Sequence, residues 1–314
     1  MQSIGNLVER ARAGDPRAVA RLISLVEDAS PALREVMAAL APYAGGTAVI
    51  GITGPPGVGK STLAAALVRE LRGRGPRVGV LAVDPSSPFS GGALLGDRVR
   101  MQEHATDRGV YIRSMATRGH LGGLAWATPQ ALRVLDAAGC DVVLVETVGV
   151  GQSEVEVAAL ADTTLVLLAP GMGDGIQAAK AGILEVGDVF VVNKADRDGA
   201  DQVIRDLRGM IRLVEREPGD WRQPIVSTVA VRGDGLRELA DAVDKHREWL
   251  QRSGELDRRR RRRVRDEIEA IAVTALRRRF GDLHGDARLD TLADKVLAGE
   301  FDPYAAADEI VAAL

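Results

Sequence analysis

From Thr47 onward the chain alternates short, β-branched apolar runs with longer stretches of helical spacing. The runs are TAVIGIT (47–53), RVGVLAVD (77–84), VYIR (110–113), DVVLVET (141–147), TTLVLLA (163–169), DVFVVN (188–193) and PIVSTV (224–229), each followed by a turn. Runs that stay apolar without alternating predict strands covered on both faces. Strands interleaved with helices then predict an α/β fold with a mostly parallel sheet, whose functional loops lie at the carboxyl ends of the strands. Residues 1–46 read as helical instead, with Val19, Leu22, Ile23 and Val26 at helix spacing and Ser30-Pro31 opening a second segment that ends at Gly45-Gly46. Beyond Leu250 the β signals stop, and helices are expected over 255–280, 286–298 and 303–314, separated by Gly281, Gly285 and Gly299. The predicted organisation is a helical extension (1–46), an α/β domain (47–250) and a helical arm (251–314).

Composition narrows the class. With 314 residues, 46% of them hydrophobic and 27% charged, the chain is long enough for about two domains and too apolar to be disordered in bulk. A single Cys, Cys140, allows no disulfide framework and no Cys-based metal cluster within one chain. The opening MQSIGNLVERARAGD lacks a signal-peptide apolar stretch, and no run approaches the ~20 apolar residues that span a bilayer, so a soluble cytoplasmic protein with no membrane contact is expected. A net charge of -3 gives no global reason for nucleic-acid binding. Only five of the 41 Lys and Arg residues are lysines, at 60, 180, 194, 245 and 295, which draws attention to where they fall.

After the first strand, Gly54-Pro55-Pro56-Gly57-Val58-Gly59-Lys60-Ser61 matches the phosphate-loop pattern in full, and Thr62 continues into a good helix. Its glycines let backbone N–H groups turn toward phosphates, the helix N-terminus adds positive charge, Lys60 supplies a cation to the β- and γ-phosphates, and Ser61 is a candidate ligand of Mg²⁺. The strand before and the helix after argue against a mere glycine-rich turn. Asp84 ends the second strand and Asp97 lies in the loop DPSSPFSGGALLGDRVR; each is either a metal-site carboxylate or a turn-former. Arg100 is either an internal arginine finger or a surface cation. Glu146, after VVLV, fits the second metal-site element, and Gly149 fits a γ-phosphate sensor.

Asn193-Lys194-Ala195-Asp196 follows the strand VFVV. A carboxylate at Asp196 can accept two hydrogen bonds from guanine, at N1–H and the exocyclic amine, whereas adenine has no donor at N1; Lys194 can stack its stem on the base and Asn193 can tie loops together. A preference for GTP/GDP over ATP follows.

Together GPPGVGKST, DPSSPFSGGALLGDRVRM, ETVGVGQSE, PGMGDGIQAAKAGILE and NKAD resemble the MeaB/ArgK family of GTPases, relatives of the human MMAA protein, over essentially the whole chain. The resemblance implies a phosphate-loop NTPase that acts as a chaperone of an adenosylcobalamin-dependent acyl-CoA mutase, usually methylmalonyl-CoA mutase, gating cofactor loading and protecting or reactivating the enzyme. It implies that Lys60 and Ser61 meet phosphate and Mg²⁺, that Asp84, Asp97 and Glu146 are metal-site and switch residues, and that Asn193, Lys194 and Asp196 form the guanine site. It places Val229, Ala230 and Val231 over the base. It makes 170–185 an additional switch loop, with Asp174, Gln177 and Lys180 as candidates for coupling to the partner; Lys180 is also consistent with a helix-surface cation.

Two rivals remain open. The related nickel-insertion GTPases deliver metal with clustered His and Cys, whereas His104, His120, His246 and His284 are scattered here. A non-enzymatic nucleic-acid or scaffold protein is suggested by Arg258–Arg263, six consecutive arginines. Helical geometry spreads such a run around the axis, and Glu255, Asp257, Asp266, Glu267 and Glu269 flank it. A solvated helix that buries Val264, Ile268, Ile271, Val273 and Leu276 in a homodimer, with no nucleic-acid partner, is the expectation.

Overall fold

The computed structural model describes residues 3–84, 104, 106–116, 127–147, 153–171, 183–213, 217–280 and 287–312. The strands among them are β1 (Ala48–Thr53), β2 (Val78–Asp84), β3 (Val110–Ala116), β4 (Val142–Thr147), β5 (Thr163–Leu168), β6 (Val189–Asn193) and β7 (Ile225–Thr228). They form one parallel sheet in the order β3-β2-β4-β1-β5-β6-β7. Every residue of β1, β4, β5 and β6 is buried, which is why these segments read as continuous apolar runs. Because β1 lies between β4 and β5, the loop that leaves it opens at the point where the strand order diverges, where α/β proteins place their ligands.

Helices cover both faces. On one side α4 (Lys60–Gly73) and α9 (Leu236–Ser253) bury Leu63, Leu67, Leu239 and Val243 against Ile50, Ile52, Leu144 and Leu165 of the sheet. On the other, α5 (Thr128–Ala137) and α6 (Ser153–Leu160) pack with α1 (Ile4–Arg12), α2 (Pro16–Glu27) and α3 (Leu33–Leu40) in a core that includes Leu22, Leu40, Met115 and Val145. Each large side chain so buried contributes about 1.5–3 kcal/mol, so the N-terminal helices are part of the main core. The first residues at helix spacing, Val19, Leu22, Ile23 and Val26, are all buried on α2. Asp15 caps that helix by accepting from the Arg17 and Ala18 N–H groups at 2.9 and 3.4 Å, with Pro16 at its first position. The expected helix at Ser30-Pro31 begins later, at Leu33. Ser30 Oγ accepts from the Ala32 N–H and its carbonyl from the Leu33 N–H, so residues 31–32 complete a turn before the regular helix.

A third group of buried residues surrounds Phe190, where β5 and β6 meet α8 (Ala200–Ile211); the short α7 (Ile183–Val186) precedes β6. Helix α10 (Glu255–Phe280) follows α9 after Gly254. The chain divides into two compact units, Met1–Arg259 and Arg260–Leu314. Within the second, α11 (Ala287–Leu297) and α12 (Pro303–Ala312) pack Leu292 against Ala306 and Ile310. No helix among the described residues is long and apolar enough to cross a membrane.

The arginine run departs from a uniformly solvated helix. Arg259 is half-buried and forks onto Asp188 at 2.9 and 3.0 Å, just before β6, and also donates to the Asp162 carbonyl at 3.0 Å. Arg258, one residue earlier, is exposed and pairs with Glu255 at 2.7 Å. Arg259 reaches the strand ends while Arg258 beside it pairs within its own helix, because consecutive helical residues point about 100° apart. Asp188 also accepts from the Thr164 N–H, and its carbonyl takes the Trp221 indole N–H at 2.7 Å. His246 of α9 is fully buried beside it, with Nδ1 at 2.9 Å from Thr163 Oγ1 and its ring against both Trp221 and Trp249, which also meet each other.

Burial holds the His246 pKa down at about 4; nearby Asp188 opposes this, but Arg259 reinforces it. The imidazole is therefore neutral in the folded protein and protonates in the unfolded chain below its ordinary 6.5. Unfolded chains bind the extra proton between these two values, so stability is full above pH 6.5 and falls as pH drops toward 4, by about 3 kcal/mol. Urea unfolding at stepped pH is expected to show that slope in the natural protein, and His246→Gln is expected to flatten it.

Candidate functional site

The phosphate-loop segment joins β1 to α4 at the carboxyl edge of the sheet. Three of its glycines, Gly54, Gly57 and Gly59, have positive φ, and two of them are also closely approached. At Gly54 (φ +138°) a Cβ would lie 2.3 Å from the Leu167 carbonyl oxygen, and at Gly59 (φ +95°) a Cβ would lie 2.6 Å from Asn193 Nδ2. Gly59 is also the cap position of α4 and brings no side-chain hydrogen bond to it, so the first-turn N–H groups keep their positive end of the dipole toward the loop. Lys60 is buried, and its ammonium donates to the Gly54 and Pro55 carbonyls at 2.7 and 3.1 Å, which holds the cation at the loop.

Beside the loop on the β4 side, Ser61 Oγ donates to Glu146 Oε1 at 2.6 Å, and both residues are buried. A hydroxyl and a buried carboxylate in contact are a hard-oxygen pair of the kind Mg²⁺ takes. Glu146 reaches Ser61 because it lies in register with Ile52 of β1, so its side chain falls on the α4 face of the sheet. Asp84 is the last residue of β2, in register with Ala116, at the same edge. Asp97, Arg100, Gly149, Asp174, Gln177 and Lys180 lie outside the described residues.

On the β6 side the loops converge on one side chain. Asn193, 2% exposed, donates from Nδ2 to the Val58 carbonyl at 2.8 Å; its Oδ1 accepts from Thr228 Oγ1 and from the Ala230 N–H, both at 3.1 Å. Asn193 and Thr228 are register partners at the ends of β6 and β7, which is why the two loops meet there. Lys194 adopts a left-handed φ of +56°, unusual for a residue with a Cβ, and its ammonium donates to the Gly57 carbonyl at 2.6 Å. Lys194 thus crosses from the NKAD segment after β6 to the loop after β1. The Ala195 N–H donates to the Thr228 carbonyl at 3.0 Å. Asp196 stands at the surface, with one carboxylate oxygen 3.5 Å from Arg232. Val229 and Ala230 are buried in the turn after β7, whereas Val231 is exposed.

The structure therefore brings the phosphate loop together with Glu146 at one end and with Asn193, Lys194 and the 228–230 turn at the other. Thr228 and Arg232 were not singled out by sequence; the position of Thr228 at the end of the last strand, just ahead of 229–231, was the available signal. Of the scattered histidines, His104 is buried against the Ala65 carbonyl at 3.0 Å. Cys140 is buried too, and burial pushes its thiol up to about 12, which leaves it a packing residue.

The comparisons with known proteins agree with this architecture. The family model described as methylmalonyl Co-A mutase-associated GTPase MeaB matches residues 19–283. A Pyrococcus abyssi protein named as a GTPase is 50% identical over 311 residues, 98% of this chain and 96% of that one. The mouse protein named methylmalonic aciduria type A homolog, mitochondrial, is 36% identical over 269 residues, 84% of this chain and 65% of that one. A crystal structure described as LAO/AO transport system kinase superposes with a TM-score of 0.73 at 27% identity, covering 98% of this chain and 96% of that one.

Replacing Asn193 with Ala removes three hydrogen bonds at once and leaves the Val58 carbonyl and the Ala230 N–H without this partner. The expected cost is about 2–4 kcal/mol of stability in denaturant unfolding. In calorimetric titration of the same variant, GDP is expected to bind at least about tenfold more weakly.

Proposed function

This chain belongs to the methylmalonyl Co-A mutase-associated GTPase MeaB family, and from that premise we propose that it is a GTP-hydrolysing chaperone of an adenosylcobalamin-dependent acyl-CoA mutase, gating cofactor loading and protecting or reactivating that enzyme. GTPase activity follows from the family; the mutase as client is the step beyond it. The observation that carries the reading is the single hydrogen-bonded frame joining phosphate loop and base-site segment through Asn193 and Lys194. A frame of that kind lets phosphate chemistry be felt in the loops that a partner would touch. The family's description as mutase-associated supports methylmalonyl-CoA mutase as the client, and the mouse relative's name refers to methylmalonic aciduria.

In this reading the backbone N–H groups of residues 57–62 hold the phosphates and Lys60 neutralises charge on the β- and γ-phosphates as the γ-phosphoryl leaves. To do so its ammonium turns from the Gly54 and Pro55 carbonyls toward phosphate oxygens. Ser61 and Glu146 would hold Mg²⁺, with Asp84 and Asp97 as further carboxylates; that ion would supply charge neutralisation at the phosphate oxygens. Asp196 reads the guanine edge, and Lys194 lays its stem beside the base. Gly149 would sense the γ-phosphate and Arg100 would complete its charge shell, while Asp174, Gln177 and Lys180 would relay nucleotide state to the mutase.

The arm supports a homodimer. Val264, Ile268 and Ile271 of α10 are exposed at spacings of four and three residues, an apolar seam along one side of the helix; Val273 and Leu276 are exposed too, about 160° and 140° round the axis from Ile271. Ile268→Asp is expected to shift the protein from dimer to monomer in sedimentation analysis; an unchanged dimer would remove this seam from the interface.

The central test is GTP turnover with and without purified methylmalonyl-CoA mutase from the same cell. The mutase is expected to raise turnover, and Lys60→Ala is expected to lower it by about 100-fold or more. Equal turnover with and without every cobalamin mutase of the cell would sink the client assignment.

A further inference from the structure

We propose that Arg232 competes with guanine for Asp196 and thereby weakens guanine binding and narrows its advantage over adenine. The proposal rests on Asp196 being the base-reading carboxylate. Arg232 sits in the turn after β7, which is closed by hydrogen bonds from the Arg232 and Gly233 N–H groups to the Val229 carbonyl and by pairing of Val229 with Asp234. Its guanidinium is aimed by Asp234, whose Oδ2 accepts from Nε at 2.8 Å. That leaves Nη1 3.5 Å from Asp196 Oδ2.

Guanine recognition uses both carboxylate oxygens of Asp196, one for N1–H and one for the 2-amino group, so the oxygen facing Arg232 is one that the base needs. Guanine must displace or share the arginine. Adenine has no donor at N1, so with adenine in the site Asp196 keeps Arg232 as its partner and escapes the penalty of standing unpaired. The same arginine therefore acts against guanine and in favour of its rival. The three side chains are 39–57% exposed, so the effect is that of a screened surface pair, at most about fivefold in affinity.

The test is calorimetric titration of GDP and ADP into the full-length protein, Arg232→Gln, Asp196→Asn and the double variant, at about 0.02 and 0.5 M salt. ADP controls for the general loss of a positive charge near the phosphates. Arg232→Gln is expected to raise the preference for GDP over ADP by about two- to fivefold at low salt, with the gain shrinking at high salt. In the Asp196→Asn background the arginine substitution is expected to change nothing. If Asp196→Asn weakens GDP while Arg232→Gln leaves the GDP-to-ADP ratio unchanged or lowers it, the competition is overturned and the base site stands. If Asp196→Asn leaves GDP binding intact, the base-site reading itself is overturned, and this inference with it.

Discussion

The carboxamide of Asn193 is buried where three segments of backbone meet, and burial there requires its polar atoms to be matched. It meets that requirement by bonding the Val58 carbonyl, the Thr228 hydroxyl and the Ala230 N–H. These partners belong to the loop after β1 and to the end of β7, neither of which touches β6 through sequence neighbours. Position 59 must be glycine for the amide to come this close, since any Cβ would fall on Asn193 Nδ2. The shape of the loop after β1 and the position of the NKAD segment are thus one constraint, and Lys194 adds a second tie to Gly57. At the other flank the Ser61–Glu146 contact joins the same loop to β4. A single loop is braced from both sides of its own strand.

Why the strands were legible is physical. A parallel strand covered by helices on both faces needs apolar residues at successive positions, so β1, β4, β5 and β6 announced themselves as nearly unbroken runs, and each of the seven observed strands starts and ends within three residues of its run. The phosphate loop was legible because phosphate binding demands glycines, a lysine and a hydroxyl in a fixed local order within eight residues, and NKAD after a strand added the guanine preference. Contacts between distant segments left no such trace. His246 bonds Thr163, Arg259 bonds Asp188 and Arg232 approaches Asp196 across 83, 71 and 36 positions, respectively. Nothing local distinguishes Arg259 from the five arginines around it; its partners, Asp188 and the Asp162 carbonyl, lie far off in sequence. The start of α3 was misplaced for a related reason: Ser30-Pro31 satisfies both a helix cap and a turn, and the turn's hydrogen bonds prevail.

The Asp188 cluster also shows how a charge can be buried without titrating its neighbours. The carboxylate is matched by the Arg259 fork and the Thr164 N–H, and its pull toward a protonated His246 is opposed by Arg259 and outweighed by burial. Burial then decides, and the imidazole stays neutral among two indoles and a hydroxyl. An ion pair, a neutral histidine and two tryptophans are mutually dependent here: loss of the arginine would leave the carboxylate facing the ring alone.

That cluster and the Asn193 junction occupy opposite ends of the same strand. Asp188 immediately precedes β6 and Asn193 closes it, a span of five residues or about 17 Å of extended backbone. An extended peptide has almost no slack, and β6 is laddered on both sides to β5 and β7. The ladders on both sides resist any slide of β6, so the Asp188 cluster and the Asn193 junction are held at a fixed separation along one strand. In mechanical terms the first turn of α10 and the junction of the nucleotide loops are two ends of one stiff rod.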